Sequence, residues 1–189
     1  MRLTVATHNE HKLAEFARLM PGYELDLLPA GSEAPIEDGD SFEANALIKA
    51  RAGAQLSGAA TIADDSGICV EALGGEPGIH SARWAGEGSD DAANLQLLIE
   101  RTTAGDRLEY VCVIAYVDPV SGSEHLVEGR CAGIRATEPR GSDGFGYDPA
   151  FEPLDLPGRT MAQLTGPEKD SISHRGNAVR ALESWLATK

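Results

Sequence analysis

Residues 61–86 read TIADDSGICVEALGGEPGIHSARWAG. A strand start, Thr61-Ile62-Ala63, delivers two adjacent carboxylates, Asp64 and Asp65, and Ser66-Gly67 then reads as a turn. A strand ending in acids at a glycine turn sets charge where a sheet meets solvent. Such a place suits a hard divalent cation, since Mg²⁺ takes oxygen ligands and usually binds one or two carboxylates together with substrate phosphates. The same four residues also describe an ordinary solvated turn, so the surrounding chain has to discriminate. Beyond Ile68–Val70 a loop rich in Gly and Pro leads to Ser81-Ala82-Arg83-Trp84, which reads as architecture or a subunit contact rather than chemistry.

Upstream, Leu3–Ala6 is a short apolar strand that runs into Thr7-His8-Asn9-Glu10-His11-Lys12. Leu13, Phe16, Ala17 and Met20 then recur at helical spacing, with Asn9 as the cap and Pro21-Gly22 as the stop. The first-turn N–H groups of this helix, beside Thr7, Asn9 and Lys12, suit an anion. A capped helix with a solvated lysine has the same pattern, and the spacing of a Walker loop is missing. A second strand, Tyr23–Leu28, precedes an acidic loop carrying Glu33, Glu37, Asp38 and Asp40. Ser41 caps a helix from Phe42 to about Leu56, with Phe42, Ala46 and Lys49 along one side. Glu37 and Glu43 are the two acids placed to reach a metal held at Asp64-Asp65.

Downstream, Ser89 is expected to cap a helix reaching Arg101, and Leu108–Val117 and His125–Arg135 read as a long antiparallel hairpin about Asp118–Gly122. The segment Gly141–Pro149 (GSDGFGYDP) is too rich in glycine to be a strand. Its glycines let backbone approach a ligand and its rings offer a flat surface for a base, although packed turns share that composition. Thr165-Gly166-Pro167-Glu168 is a capping box with Lys169 in the first turn. Ser173-His174-Arg175-Gly176-Asn177 reads as an interruption before a last helix through Val179, Leu182 and Leu186.

No repeat or linker divides the chain, so residues 1–189 are read as a single domain with room for two lobes. Sixteen basic against 30 acidic side chains give a net charge of −14, which argues against nucleic acid or an anionic membrane as partner. A small polyanion remains compatible if a metal and a few basic groups converge. Cys69, Cys112 and Cys131 lack CxxC spacing and read as buried thiols in a reducing compartment. With no long apolar run and a strand starting near Met1, the expected location is cytoplasmic.

Six segments together, in order, resemble the inosine triphosphate pyrophosphatase family, the dITP/XTP diphosphatases. They are Thr7–Lys12 (THNEHK), Ser41–Ala50 (SFEANALIKA), ADDSG, LGGEPGIHSARWAG, GFGYDP and SHRGNA. They run from the first strand to the last helix. His8 departs from the small residue that bacterial relatives often carry. The resemblance implies an α/β fold of two lobes, an elongated mixed sheet flanked by helices, an active-site cleft between lobes, and a homodimer. It implies hydrolysis of ITP, dITP or XTP to the monophosphate and pyrophosphate with Mg²⁺.

Asp65 is read as the base that orients and deprotonates the water, and by that resemblance it also touches Mg²⁺; Glu37 is read as the second ligand, with Glu43 behind it. Asp64, pointing to the other side of the strand, is secondary. Thr7, Asn9 and Lys12, with the backbone of His8, Glu10 and His11, would hold the triphosphate, and Ser66 would touch phosphate or the metal shell. Phe145, Gly146, Tyr147, Asp148, Lys169, His174 and Arg175 would take the purine. Donors from His174 and Arg175 match a 6-keto oxygen, whereas adenine offers an amino group there. A Maf-like pyrophosphatase acting on pyrimidines is the nearest rival, and SHRGNA and GFGYDP speak against it. A non-catalytic purine sensor is disfavoured by Asp65, and the Nudix helix motif is absent.

Overall fold

β1 (Arg2–Val5) and β2 (Glu24–Leu27) are joined through α1 (Glu10–Leu19) and lie parallel, with Arg2 opposite Glu24 and Val5 opposite Leu27. This geometry comes from a computed structural model that describes residues 1–189. A second crossover, α2 (Phe42–Ser57), leads into β3 (Thr61–Val70), which pairs parallel with β1 on its other side. α3 (Asp91–Arg101) precedes β4 (Arg107–Asp118). β4 and β5 (Ser123–Arg135) are sheet neighbours joined by a short turn closed by Gly122 N donating to Asp118 O at 2.9 Å, which makes them the expected hairpin. β6 (Phe151–Pro153) adds antiparallel to β5. The six-stranded mixed sheet therefore runs β2-β1-β3-β4-β5-β6, and α4 (Gly166–Ile172) and α5 (His174–Leu186) close the chain. No helix is long and apolar enough to cross a membrane.

The chain forms two compact units. The first comprises Met1–Asp65, Cys112–Gly129 and Ala178–Lys189. Strand alternation sorts its core into two layers. Leu3, Val5 and Ile62 pack with Phe16 and Met20 of the α1 segment and with Val179, Leu182 and Leu186 of α5. Ala6 and Ala63 face the other way, onto Ala46, Ala50 and Ala54 of α2. Small residues let α2 lie close to the strands. A Cβ on Gly53 would stand 2.7 Å from Ala6 Cβ and 2.9 Å from Thr61 Cγ2, so a side chain there would lift the helix. The second unit, Ser66–Val111 with Arg130–Asn177, has its own core of Ile68, Val70, Leu98, Leu108, Tyr110, Tyr147, Phe151, Met161 and Leu164.

Three local expectations are corrected. Asp64-Asp65-Ser66-Gly67 is not a turn but lies inside the ten-residue β3. Turn propensity of Asp, Ser and Gly gives way to pairing and burial, because five of the first six residues of the strand, Thr61–Asp65, are buried. The cap of α3 is Asp90, whose carboxylate accepts from Ala93 N at 2.8 Å, while Ser89 donates its hydroxyl to Asn94. The break at 173–177 is a single residue: Ser173 ends α4, and its Oγ accepts from Gly176 N at 3.0 Å in the first turn of α5. His174 and Arg175 are thus helical, set at a helix start.

Candidate active site

Because β3 stays extended through the acids, Asp64 and Asp65 emerge on opposite sides of the sheet. Asp64 follows Ile62 onto the α1 side, where its Oδ2 meets Lys12 Nζ at 3.1 Å. The Cys112 thiol donates to the same oxygen at 3.8 Å. Lys12 is placed by its helix start: Asn9 Oδ1 accepts from Lys12 N at 3.1 Å, and Thr7 Oγ1 accepts from Asn9 N at 3.2 Å. His8 Nε2 lies 3.0 Å from Ser32 O, tying this loop to the turn after β2. A cavity of about 190 Å³ lies there, lined by Thr7–Glu10, Leu13 and residues 27–32. His8, Glu10 and His11 are exposed.

Asp65 follows Ala63 onto the α2 side. Its Oδ1 accepts from Lys49 Nζ at 3.0 Å, and the same ammonium donates to Glu37 Oε2 at 2.8 Å. Asn45 Nδ2 reaches Asp65 Oδ2 at 3.4 Å, and Asn45 Oδ1 accepts from Gly39 N at 2.9 Å, which anchors the acidic loop just past Glu37. The two carboxylates expected to share a metal are therefore within bonding distance of one cationic atom, the Lys49 ammonium. Glu43, the other acid considered, is exposed in the first turn of α2. Burial raises the Asp65 carboxyl above the ordinary carboxylate value, and the charges of Lys49 and Lys12 only partly offset it. Burial works against the Lys49 ammonium too, but Asp65, Asp64 and Glu37 outweigh it and hold its pKa above the ordinary lysine value. The lysine feels the charge of three carboxylates, whereas Asp65 is buried and also feels a like charge from Glu37.

The second unit gathers the other expected residues. Asp148, nearly fully buried, accepts from Lys169 Nζ at 2.7 Å and from Phe145 N at 3.0 Å on Oδ2, and from the Tyr110 hydroxyl at 3.1 Å on Oδ1. Lys169 also stands 4.9 Å from the centre of the Phe145 ring, within cation–π range. The capping box at Thr165, with Glu168 returning to Thr165 N at 2.9 Å, fixes the start of α4 and hence Lys169. His174 stacks on Tyr110 at 4.7 Å, and Arg175, only 1% exposed, donates to Ser66 Oγ at 2.8 Å. Gly146 N bonds Asp91 Oδ2 at 2.8 Å, and the Tyr147 hydroxyl donates to Ser81 O at 2.6 Å. Ser81 Oγ in turn accepts from Ile68 N at 2.9 Å, so this part of the Gly74–Trp84 loop braces β3.

Two residues in these clusters were missed by sequence reasoning. Lys49 read as one more position on an alanine-rich helix, although its eight-residue distance from the cap could have flagged it as facing the strands. Tyr110 read as one residue of an apolar strand, and nothing local announces its partner 38 positions away.

The first unit thus sets Asp64 and Asp65 of β3 against Lys12 of α1 and Lys49 of α2, and the second holds a Gly-aromatic loop beside a buried Lys–Asp pair. The chain belongs to the Ham1 family, which it matches over residues 3–185. It is 44% identical over 200 residues to the dITP/XTP pyrophosphatase of Halorhodospira halophila, covering 100% of this chain and 98% of that protein. It is 48% identical over 192 residues to the dITP/XTP pyrophosphatase of Symbiobacterium thermophilum, covering 96% and 93%. Among solved structures, the Staphylococcus aureus Ham1 protein superposes with a TM-score of 0.86 at 38% identity, covering 100% of this chain and 99% of that one.

Proposed function

We propose that this protein is a dITP/XTP pyrophosphatase that clears non-canonical purine nucleoside triphosphates from the nucleotide pool by releasing pyrophosphate and the monophosphate. One observation carries the reading: proteins bearing that activity in their names align with nearly the whole of this chain, at 44% and 48% identity. The two clusters supply a physical account of how it works.

Asp65 is the base. Its carboxylate orients a water and takes its proton as the water oxygen bonds the α-phosphorus, while the bond from that phosphorus to the bridging oxygen of the β-phosphate breaks and pyrophosphate leaves. A carboxylate whose pKa is raised by burial is better matched to this task than an exposed one. Lys12, steadied by Asp64, and the loop Thr7–Lys12 hold the triphosphate against the start of α1. Preorganised charge of this kind is the main resource for phosphoryl chemistry.

The donor set fits Mg²⁺. Glu37 and Asp65 are hard oxygen donors, already close enough to share the Lys49 cation at 2.8 and 3.0 Å. These two residues would hold the ion, which supplies Lewis-acid neutralisation of the phosphates when bound. In the second unit, Phe145 and the backbone through Asp148 take the purine ring, and His174 and Arg175 donate to its 6-keto oxygen. A site that must pair such a group rejects an unmatched base by about 10⁴–10⁵. A homodimer and a cytoplasmic location complete the proposal.

A panel of triphosphates with product identification tests it. Release of pyrophosphate from dITP, ITP and XTP with slow turnover of dATP is expected. Strong dTTP turnover without dITP turnover would move the protein to the Maf-like class, and binding without turnover would make it a sensor.

A further inference from the structure

One side chain touches both arms of the purine cluster without belonging to it as assigned above. Tyr110, on β4, is 6% exposed. Its ring lies nearly parallel to Phe151, with centroids 4.2 Å apart and planes at 20°, and to His174, at 4.7 Å and 18°. Two parallel rings that close cannot share one face of a third, so the phenol is held between them. Its hydroxyl donates to Asp148 Oδ1 at 3.1 Å, while Oδ2 of that carboxylate holds Lys169 Nζ at 2.7 Å and Phe145 N at 3.0 Å. Asp148, Lys169 and His174 are 3%, 5% and 6% exposed, so little water competes for these contacts.

We infer that Tyr110 is a positioning residue for purine recognition: its ring sets the plane of the His174 imidazole, and its hydroxyl fixes Asp148 and, through it, Lys169 and the backbone at Phe145. The two arms of the base site are thereby held as one body. The inference rests on the assignment of those residues to the purine. Burial, and then the charge of Asp148, push the phenol well above its ordinary pKa, so the hydroxyl stays a donor at working pH. A residue serving only the core would tolerate loss of that oxygen, because Phe keeps the ring between Phe151 and His174.

The test compares the full-length protein with Tyr110→Phe and Tyr110→Leu. Steady-state kinetics on dITP and dATP are measured together with the Kd for dIMP by calorimetry. Tyr110→Phe is expected to raise the KM for dITP and the Kd for dIMP about tenfold with kcat changed less than about twofold, the lower end of what losing a hydrogen bond to a charged group produces. Tyr110→Leu, which also removes the ring stacked on His174, is expected to lower the preference for dITP over dATP about tenfold further. Wild-type KM and Kd in Tyr110→Phe overturn the inference, whether or not Tyr110→Leu folds. A wild-type protein inactive on dITP would instead overturn the proposed function, which separates the two failures.

Discussion

Lys49→Met removes the cation between Glu37 and Asp65 while keeping most of the aliphatic stem that leaves α2. The Lys49 and Asp65 side chains are 13% and 10% exposed, and Glu37 is 32% exposed. Taking one partner from a buried pair costs about 3–5 kcal/mol, chiefly because the other charge is left uncompensated. Here the uncompensated charge is Asp65, which keeps the long contact from Asn45 at 3.4 Å and the more distant charge of Lys12. The half-wet Glu37 adds little, as its loss is screened. About 3 kcal/mol is therefore expected, which for a chain of this size is a fall in Tm of about 6–12 °C. The assay is thermal denaturation in EDTA and again with saturating Mg²⁺. The ion should raise the Tm of Lys49→Met more than that of the wild type, because it no longer competes with an ammonium for the two carboxylates. A variant within about 2 °C of wild type in EDTA, or Mg²⁺ raising both proteins alike, would refute the reasoning.

The acid limb of kcat/KM against pH should fall above the ordinary aspartate value of about 3.9, because burial raises Asp65 and the base must be ionised; rate is lost as pH drops through the raised value. In Lys49→Met the limb should move to still higher pH, and in Asp65→Asn the rate should fall by about 10²–10⁴ with no such limb remaining. Gly144→Ala should damage the purine arm alone. Gly144 has φ +76, and a Cβ there would meet Asp148 Oδ2 at 2.1 Å. A KM for dITP raised by about tenfold or more with an unchanged circular dichroism spectrum is expected, and a wild-type KM would show that Asp148 does not order this loop.

How far the sequence disclosed this depended on the range of the interactions involved. Local devices were legible: Asn9, Ser41 and Thr165 cap the helices they were expected to cap, and the Asp118–Gly122 turn closes its hairpin. The acid pair was placed on the right strand but read as a turn, because turn statistics are local whereas β3 is held by neighbours distant in sequence. Strand alternation nevertheless separates Asp64 from Asp65, and the separation matters more once the strand continues. Glu37 and Glu43 both lay within reach by sequence, with nothing local to separate them. The structure gives the physical distinction, since the Gly39–Asn45 bond holds the loop with Glu37 at Lys49 while Glu43 stands exposed on α2. Lys49 and Tyr110 escaped because their partners lie 16 and 38 residues away, beyond any pattern a helix or strand imposes.

The most direct measurement is the fate of solvent oxygen. Hydrolysis of dITP with Mg²⁺ in water enriched in heavy oxygen, followed by mass analysis, reports which phosphorus the water attacks. If Asp65 delivers water to the α-phosphorus, the label appears in dIMP and the pyrophosphate is unlabelled. Label in pyrophosphate, or release of free phosphate with dIDP, would contradict the account.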